Sequence, residues 1–422
     1  MDTTIVKVGS FQPDDRLLLP CAEALRAGKT VAFPTETVYG LGANALMPSA
    51  VERVFRAKGR PQDNPLIVHV SRLEAVPPLV LEISDSARRL MHLFWPGPLT
   101  LLFPKSDLVP DHVTAGLPTV GIRMPDHPVA QRLLDLAGIP VAAPSANISG
   151  SPSPTTVEAV IADLHGKVDF IVDGGNAEIG VESTVLDLST ETPRVLRPGG
   201  LSVEELSSVL GAVEVFHFEG KGPAPSPGMK YRHYAPKGAV YMAIGSADEQ
   251  ARDIISHAVS AVLAGHKVVV LASSENLPRY EAVRESPYGH FDVIELGLRT
   301  DLAPVASRLF SSLRYADALG ASIILAESFP EAGLGLAVQN RLDRASGGRR
   351  LPSAPGLNVL MVCTGNTCRS PMAEAIFKQV WEDAGAPYPV SVASRGTSAV
   401  SGMPATDEAA LAAKGLGLDL SF

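Results

Sequence analysis

Short runs of β-branched and aromatic residues alternate with helical patterns along the whole chain, and this alternation restricts the fold to mixed α/β architecture. In the first half, KTVAFP, PLIVHV, TLLFP, TVGIRMP, PVAAP and FIVDGG read as short buried strands, with a helix over residues 49–56 between them. Residues 218–237 then pack Gly and Pro densely, show neither periodicity, and read as a linker or a lid. Downstream, AVYMAI, KVVVLAS, DVIELG and ASIILAES alternate with helical patterns such as DEQARDIISHAVSAVLAG. A second, smaller α/β unit with much parallel pairing is therefore expected, ending near AVQNRLDRASGG. After GGRRLPSAPG a fresh strand, LNVLMVC, opens a third unit near Asn358. The length of 422 residues agrees, since it exceeds what one ordinary core accommodates.

Apolar residues make up 45% and charged residues 19%, the balance of a chain that buries cores. The net charge of -9 gives no general basic field for nucleic acid, so any anion site is local. Cys21, Cys363 and Cys368 form an odd set, which argues against a disulfide framework and for a reducing compartment. The start, MDTTIVKVGS, lacks a signal-peptide layout, and no apolar stretch approaches the ~18 residues of a membrane span. A soluble cytoplasmic protein is expected.

Residues 34–45, PTETVYGLGANA, follow a buried strand and combine hydroxyls with two glycines, which suits either a plain turn or a substrate loop. VFRAKGRPQDNPLIVHV places Arg56, Lys58 and Arg60 at a helix end, just before the strand that carries His69. Cations are favoured at a helix C-terminus for structural reasons alone. In an acidic protein, a Gly-Arg-Pro turn aiming several cations at one spot reads better as a polyphosphate clamp, because guanidinium pairs phosphate oxygens bidentately. Arg123 ends the apolar strand TVGIRMP and requires an anionic partner, either a structural carboxylate or that of a substrate. PSANISGSPSPTT is rich in hydroxyls that could line a nucleotide pocket or face solvent, while VESTVLDL and RVLRPGG add Ser183, Thr184 and Arg197 at strand edges.

FPTETVYGLG, KGRPQDNPLIVH, WPGPLT, GIRMPDHP, PSANISG, ESTVLD and LRPGG, in this order over residues 4–212, resemble the threonylcarbamoyl-AMP synthase family. SPGMKYRHYAP, residues 226–236, is similar to the linker motif of that family's longer members, which carry a second α/β domain. The resemblance implies a YrdC-like twisted α/β catalytic domain over residues 1–212 and a linker or lid over 213–237. It further implies a smaller Rossmann-like α/β domain over 238–347.

The implied reaction forms threonylcarbamoyl-adenylate and pyrophosphate from L-threonine, bicarbonate or CO2, and ATP with Mg2+. By the same resemblance, Thr37, His69, Arg123, Ala143 and Ser183 hold threonine. Lys58, Arg60, Asn64, Thr119, Ser145, Ser153, Arg197 and Tyr234 hold ATP, with Lys58 and Arg60 as the catalytic cations; no metal-ligand set is assigned. In the family the adenylate passes to a separate tRNA-modifying transferase complex.

CTGNTCRS follows the strand LNVLMV and precedes a helical pattern, with Ser370 suited to cap the helix and Pro371 to open it. The Cys-x5-Arg spacing from Cys363 to Arg369 suits a loop that folds N–H groups around a phosphate and lowers the thiol pKa. The segment resembles the start of low-molecular-weight protein-tyrosine phosphatases and the related arsenate reductases. That resemblance implies Cys363 as nucleophile, Arg369 as phosphoryl ligand, and Asn366 and Ser370 as loop-shaping residues. Residues 357–422 span less than half of such a domain, so a partial, phosphatase-like α/β segment is expected. Its general acid, an aspartate before a proline, has no counterpart, because none of Asp383, Asp407 and Asp419 precedes a proline.

Two other readings compete. A phosphatase or arsenate reductase is disfavoured by the missing acid, and an RNA-binding module by the acidic balance, which leaves direct tRNA contact weak.

Overall fold

The computed structural model describes residues 2–216, 226, 233–284, 290–353, 357–383, 390–418 and 420. Residues 217–225 and 227–232 of the expected linker lie outside the described residues, as does Asp419.

The described strands fall into three sheets. The first unit contributes β1 (Thr4–Lys7), β2 (Val31–Phe33), β3 (Gly40–Asn44), β4 (Ile67–His69), β5 (Leu99–Pro104) and β6 (Thr119–Arg123). It continues with β7 (Val141–Ala142), β8 (Phe170–Asp173), β9 (Thr184–Asp187), β10 (Arg194–Arg197) and β11 (Glu214–Val215). Their order is β1-β8-β2-β3-β7-β4-β6-β5-β9-β10-β11, with parallel and antiparallel pairs mixed. Every residue of β2 and β4 is buried, as the near-continuous apolar runs require of strands covered on both faces. Strand β3 lies in the Gly-rich segment read as a turn or loop; at Gly42 a side chain would come within 2.8 Å of Phe33 and Val141, so a glycine permits the close pairing.

The helix Pro48–Lys58 shows how local sequence positions chemistry. Pro48 sits in its first turn, where a missing N–H costs nothing, and Gly59, at φ 60°, ends it in the left-handed conformation. Its buried face is Val51, Val54, Phe55 and Lys58, at helical spacing. Lys58 therefore points inward with the apolar stripe. Arg56 falls on the other side and is exposed, so only two of the three clustered cations turn inward.

The second unit pairs β12 (Ala239–Met242), β13 (Val268–Ser273), β14 (Asp292–Gly297) and β15 (Ile323–Ala326), all parallel, in the order β12-β15-β13-β14. A capping box of Ser246 and Glu249 starts its helix Ala247–Leu263. The unit packs directly on the first: Val38 and Val181 share an apolar cluster with Phe310 and Leu313. At Gly180 a Cβ would stand 2.4 Å from the Ser307 backbone, so a side chain there would force the units apart.

The third unit pairs β16 (Leu357–Cys363) with β17 (Val390–Gly396) in parallel and adds the helices Arg369–Asp383 and Asp407–Gly415. The first of these begins at Arg369, so Ser370 lies inside its opening turn rather than capping it, and its hydroxyl turns to Cys363 and Asn366 instead.

Candidate active site

Sheet order brings the functional side chains together. Strands β4 and β6 run parallel with His69 beside Arg123, and β7 pairs antiparallel to β4, so Ala143 emerges opposite Ile67 and donates its N–H to the Ile67 carbonyl at 2.9 Å. Ser183 precedes β9, and Arg197 closes β10 opposite Val185. Gly199 makes the last approach possible, because a Cβ there would stand 2.3 Å from the Glu182 carbonyl oxygen. The resulting cleft is lined by ten of the residues singled out in the sequence: Thr37, Lys58, Arg60, His69, Arg123, Ala143, Ser145, Ser183, Arg197 and Tyr234.

Most of the cations are anchored by oxygen atoms. Lys58 Nζ donates to the carbonyls of Ser145 and Asn147, the latter at 2.6 Å. Arg60 Nη2 donates to Pro65 O at 3.1 Å, while its Nε is buried with no hydrogen-bond partner among the described residues. Arg197 donates from Nη2 to Ser183 O at 2.8 Å and to its Oγ at 3.1 Å. Arg123 Nη1 donates to Thr37 Oγ1 at 2.8 Å, and Nη2 lies 2.5 Å from Glu36 Oε1. That last contact has ion-pair distance but not hydrogen-bond alignment. The question left open by the sequence thus has a structural carboxylate on one side of Arg123, with the cleft on the other.

Burial governs protonation. It holds Lys58 well below the usual ammonium range, reinforced by the Arg60 charge, and lowers Arg60 to about 10. Burial and the neighbouring Arg123 push His69 down to about 3, so its imidazole is neutral at pH 7. Because Nδ1 faces the Ile67 carbonyl at 3.2 Å, that nitrogen carries the hydrogen and Nε2 is left as an acceptor. Burial likewise lowers His233 to about 3. At Glu182 burial acts in the opposite sense to the Arg341 and Arg197 charges, which prevail and hold the carboxyl down at about 2.

Three expected nucleotide residues lie off the cleft lining. Thr119 opens β6, four residues and ~13 Å of extended strand from Arg123, and lines a smaller adjoining cavity that shares Ile67. Ser153 Oγ donates to Glu182 Oε1 at 2.6 Å, behind the wall. Asn64 is buried near Arg60, and neither atom of its side-chain amide has a hydrogen-bond partner among the described residues. Glu36, Asn147, Glu182 and His233 escaped the sequence reading. A carboxylate flanked by apolar strand residues, as in VESTVLD, was the available signal for Glu182.

The third unit forms a separate, shallower constellation. Cys363 Sγ stands 2.8 Å from Ser370 Oγ and accepts the Asn366 N–H at 3.2 Å. The Ser370 hydroxyl and the surrounding N–H groups lower the thiol to about 7. Ser370 Oγ donates onward to Asn366 Oδ1 at 2.7 Å, and Asn366 adopts φ 54°. Arg369 is exposed.

Three family models match in tandem. One described as Telomere recombination covers residues 23–199, and one described as Threonylcarbamoyl-AMP synthase, C-terminal domain, covers 201–347. The third, Low molecular weight phosphotyrosine protein phosphatase, covers 358–421. A threonylcarbamoyl-AMP synthase of Pyrococcus abyssi is 48% identical over 77% of this chain and 92% of its own length. The Bacillus subtilis one is 45% identical over 80% of this chain and 94% of its own length. The crystal structure of P. abyssi Sua5 complexed with L-threonine superposes with TM-score 0.76 at 45% identity, covering 83% of this chain and 99% of that one.

Proposed function

The chain belongs to the threonylcarbamoyl-AMP synthase family, and on that premise we propose how its cleft divides the nucleotidyl transfer among its own residues. The observation that carries the reading is the meeting of Lys58, Arg60, Arg123 and Arg197 around one buried cleft in which Glu182 is the one carboxylate among the described lining residues. Such an excess of cations stabilises a triphosphate together with an amino-acid carboxylate.

Arg123 takes the threonine carboxylate, aided by Thr37 and Ser183. The acceptor Nε2 of His69 receives the threonine hydroxyl, and the backbone at Ala143 contributes. The threonine amine, joined to CO2 as a carbamate, presents an oxygen to the α-phosphorus of ATP; the P–O bond to pyrophosphate breaks as the new one forms. Lys58 and Arg60 neutralise charge on the phosphates, and the carbonyls that grip Lys58 fix its position. Ser145, Arg197 and Tyr234 complete the nucleotide side. Arg60 Nε and the Asn64 amide, which have no hydrogen-bond partner among the described residues, supply further polar groups on the nucleotide side, and Thr119 and Ser153 adjoin.

Among the described residues no three metal-ligating side chains converge, so Mg2+ is treated as part of the ATP substrate, held chiefly by phosphates and water. No described helix is long and apolar enough to cross a membrane. A cytoplasmic setting, delivery of the adenylate to a tRNA-modifying transferase complex, and unit boundaries at residues 212, 237 and 347 belong to the same proposal. For the Cys363 loop we propose binding of phosphate or sulfate, through the N–H groups and the Ser370 hydroxyl that surround the thiol.

The test is pyrophosphate release from ATP, which should require both threonine and bicarbonate. Arg60→Ala should lower it by ~10²-fold or more with the circular-dichroism spectrum unchanged. Normal activity in that variant removes Arg60 from the clamp.

A further inference from the structure

Arg341 belongs to the helix Gly335–Ser346 of the second unit, yet its side chain serves the first. It is fully buried. Nε donates to Glu182 Oε2 at 2.8 Å, and Nη1 donates to Pro198 O at 2.8 Å. Its guanidinium carbon stands 5.4 Å from the centroid of the Tyr234 ring. Glu182 and Tyr234 line the cleft, and Pro198 follows the cleft's Arg197. One side chain thus touches three pieces of one wall.

A stability role does not account for this choice. Arg341 shares its buried helix face with Val338, Leu342 and Ala345, at spacings where a hydrocarbon would serve. Burying an ion pair there is often no more stabilising than apolar packing. What the guanidinium supplies is control of Glu182. Left alone, that carboxylate would compete with phosphate for Arg197 and repel a polyanion entering the cleft.

We propose that Arg341 is a positioning residue for the nucleotide side of the cleft. It neutralises and orients Glu182, braces the Arg197–Pro198 turn and supports the Tyr234 ring, leaving Arg60 and Arg197 to meet the triphosphate. The second unit thereby completes the active site of the first. This rests on the assignment of ATP to that side of the cleft.

The full-length protein and its Arg341→Met and Arg341→Lys variants are compared in pyrophosphate release, with ATP and threonine varied in turn. Activity is expressed per folded molecule, from thermal unfolding. Arg341→Met should raise the KM for ATP about tenfold and leave that for threonine within about twofold, with Arg341→Lys recovering part of the loss. A rise of less than about threefold for ATP, or an equal rise for threonine, overturns the role of Arg341. Should Arg341→Met not fold, Arg341→Lys is read alone against the same threefold limit. Absence of threonine-dependent release from the unaltered protein would instead overturn the reading of the cleft, and the role of Arg341 with it.

Discussion

The cleft of the first unit surrounds its cationic groups with protein, whereas the Cys363 loop of the third holds its groups near the surface. Arg60, Arg123 and Arg197 are each less than a tenth exposed, and strands from distant parts of one sheet carry or flank them. The loop hangs between one strand and one helix, Cys363 is half-buried and Arg369 is open to water. Burial changes what a charge is worth. Inside the cleft, low dielectric and missing water strengthen each contact to a substrate, and the cost is a need for partners such as Glu36 and Glu182. At the surface the loop needs no such partners, and a short backbone turn suffices to lower a thiol pKa.

The comparison can be broken at Arg123, on the side of the cleft proposed for threonine. Arg123→Ala removes a desolvated ion pair and should raise the KM for threonine by about 10–100-fold, with a smaller change for ATP. Equal effects on both substrates would mean that burial does not partition the cleft. A smaller effect is expected at the loop. Alkylation of Cys363 by iodoacetamide should rise through a midpoint near pH 7 and slow in the presence of inorganic phosphate. Cys363→Ser should leave pyrophosphate release unchanged; a midpoint at the ~8.5 of a free thiol would show the loop to be unformed.

The finest effect concerns acid stability. His69 and His233 are neutral in the fold, with pKa near 3, but titrate near 6.5 when unfolded. The unfolded chain therefore binds more protons in that window, and stability should fall as pH drops from about 6.5 toward 3. Denaturant melts of His69→Gln should show a shallower pH slope; an unaltered slope would place the imidazole in water.

Wherever chemistry sat inside a contiguous motif, it was legible. KGR placed Lys58 and Arg60 together because the helix turns its last residue inward and the residue after its Gly C-cap reaches the same cleft. Arg56, two residues earlier, was misjudged, since the helical angle carries it outward. The elements of the second unit were readable for the same reason: KVVVLAS and ASIILAES are continuous apolar runs, the mark of strands covered on both faces. Strand β3 was not, because its glycines conceal a backbone that only a neighbouring strand makes extended.

The sequence by itself determined the α/β class, the succession of three units and which clustered cations could reach one cleft, because periodicity, capping and side-chain chemistry are local properties. Tertiary structure alone decided which carboxylates stand behind those cations. Glu182 and Arg341 are 159 residues apart, and no local pattern links them. Their pairing exists only because two sheets pack together and exclude the water that would otherwise solvate each charge separately.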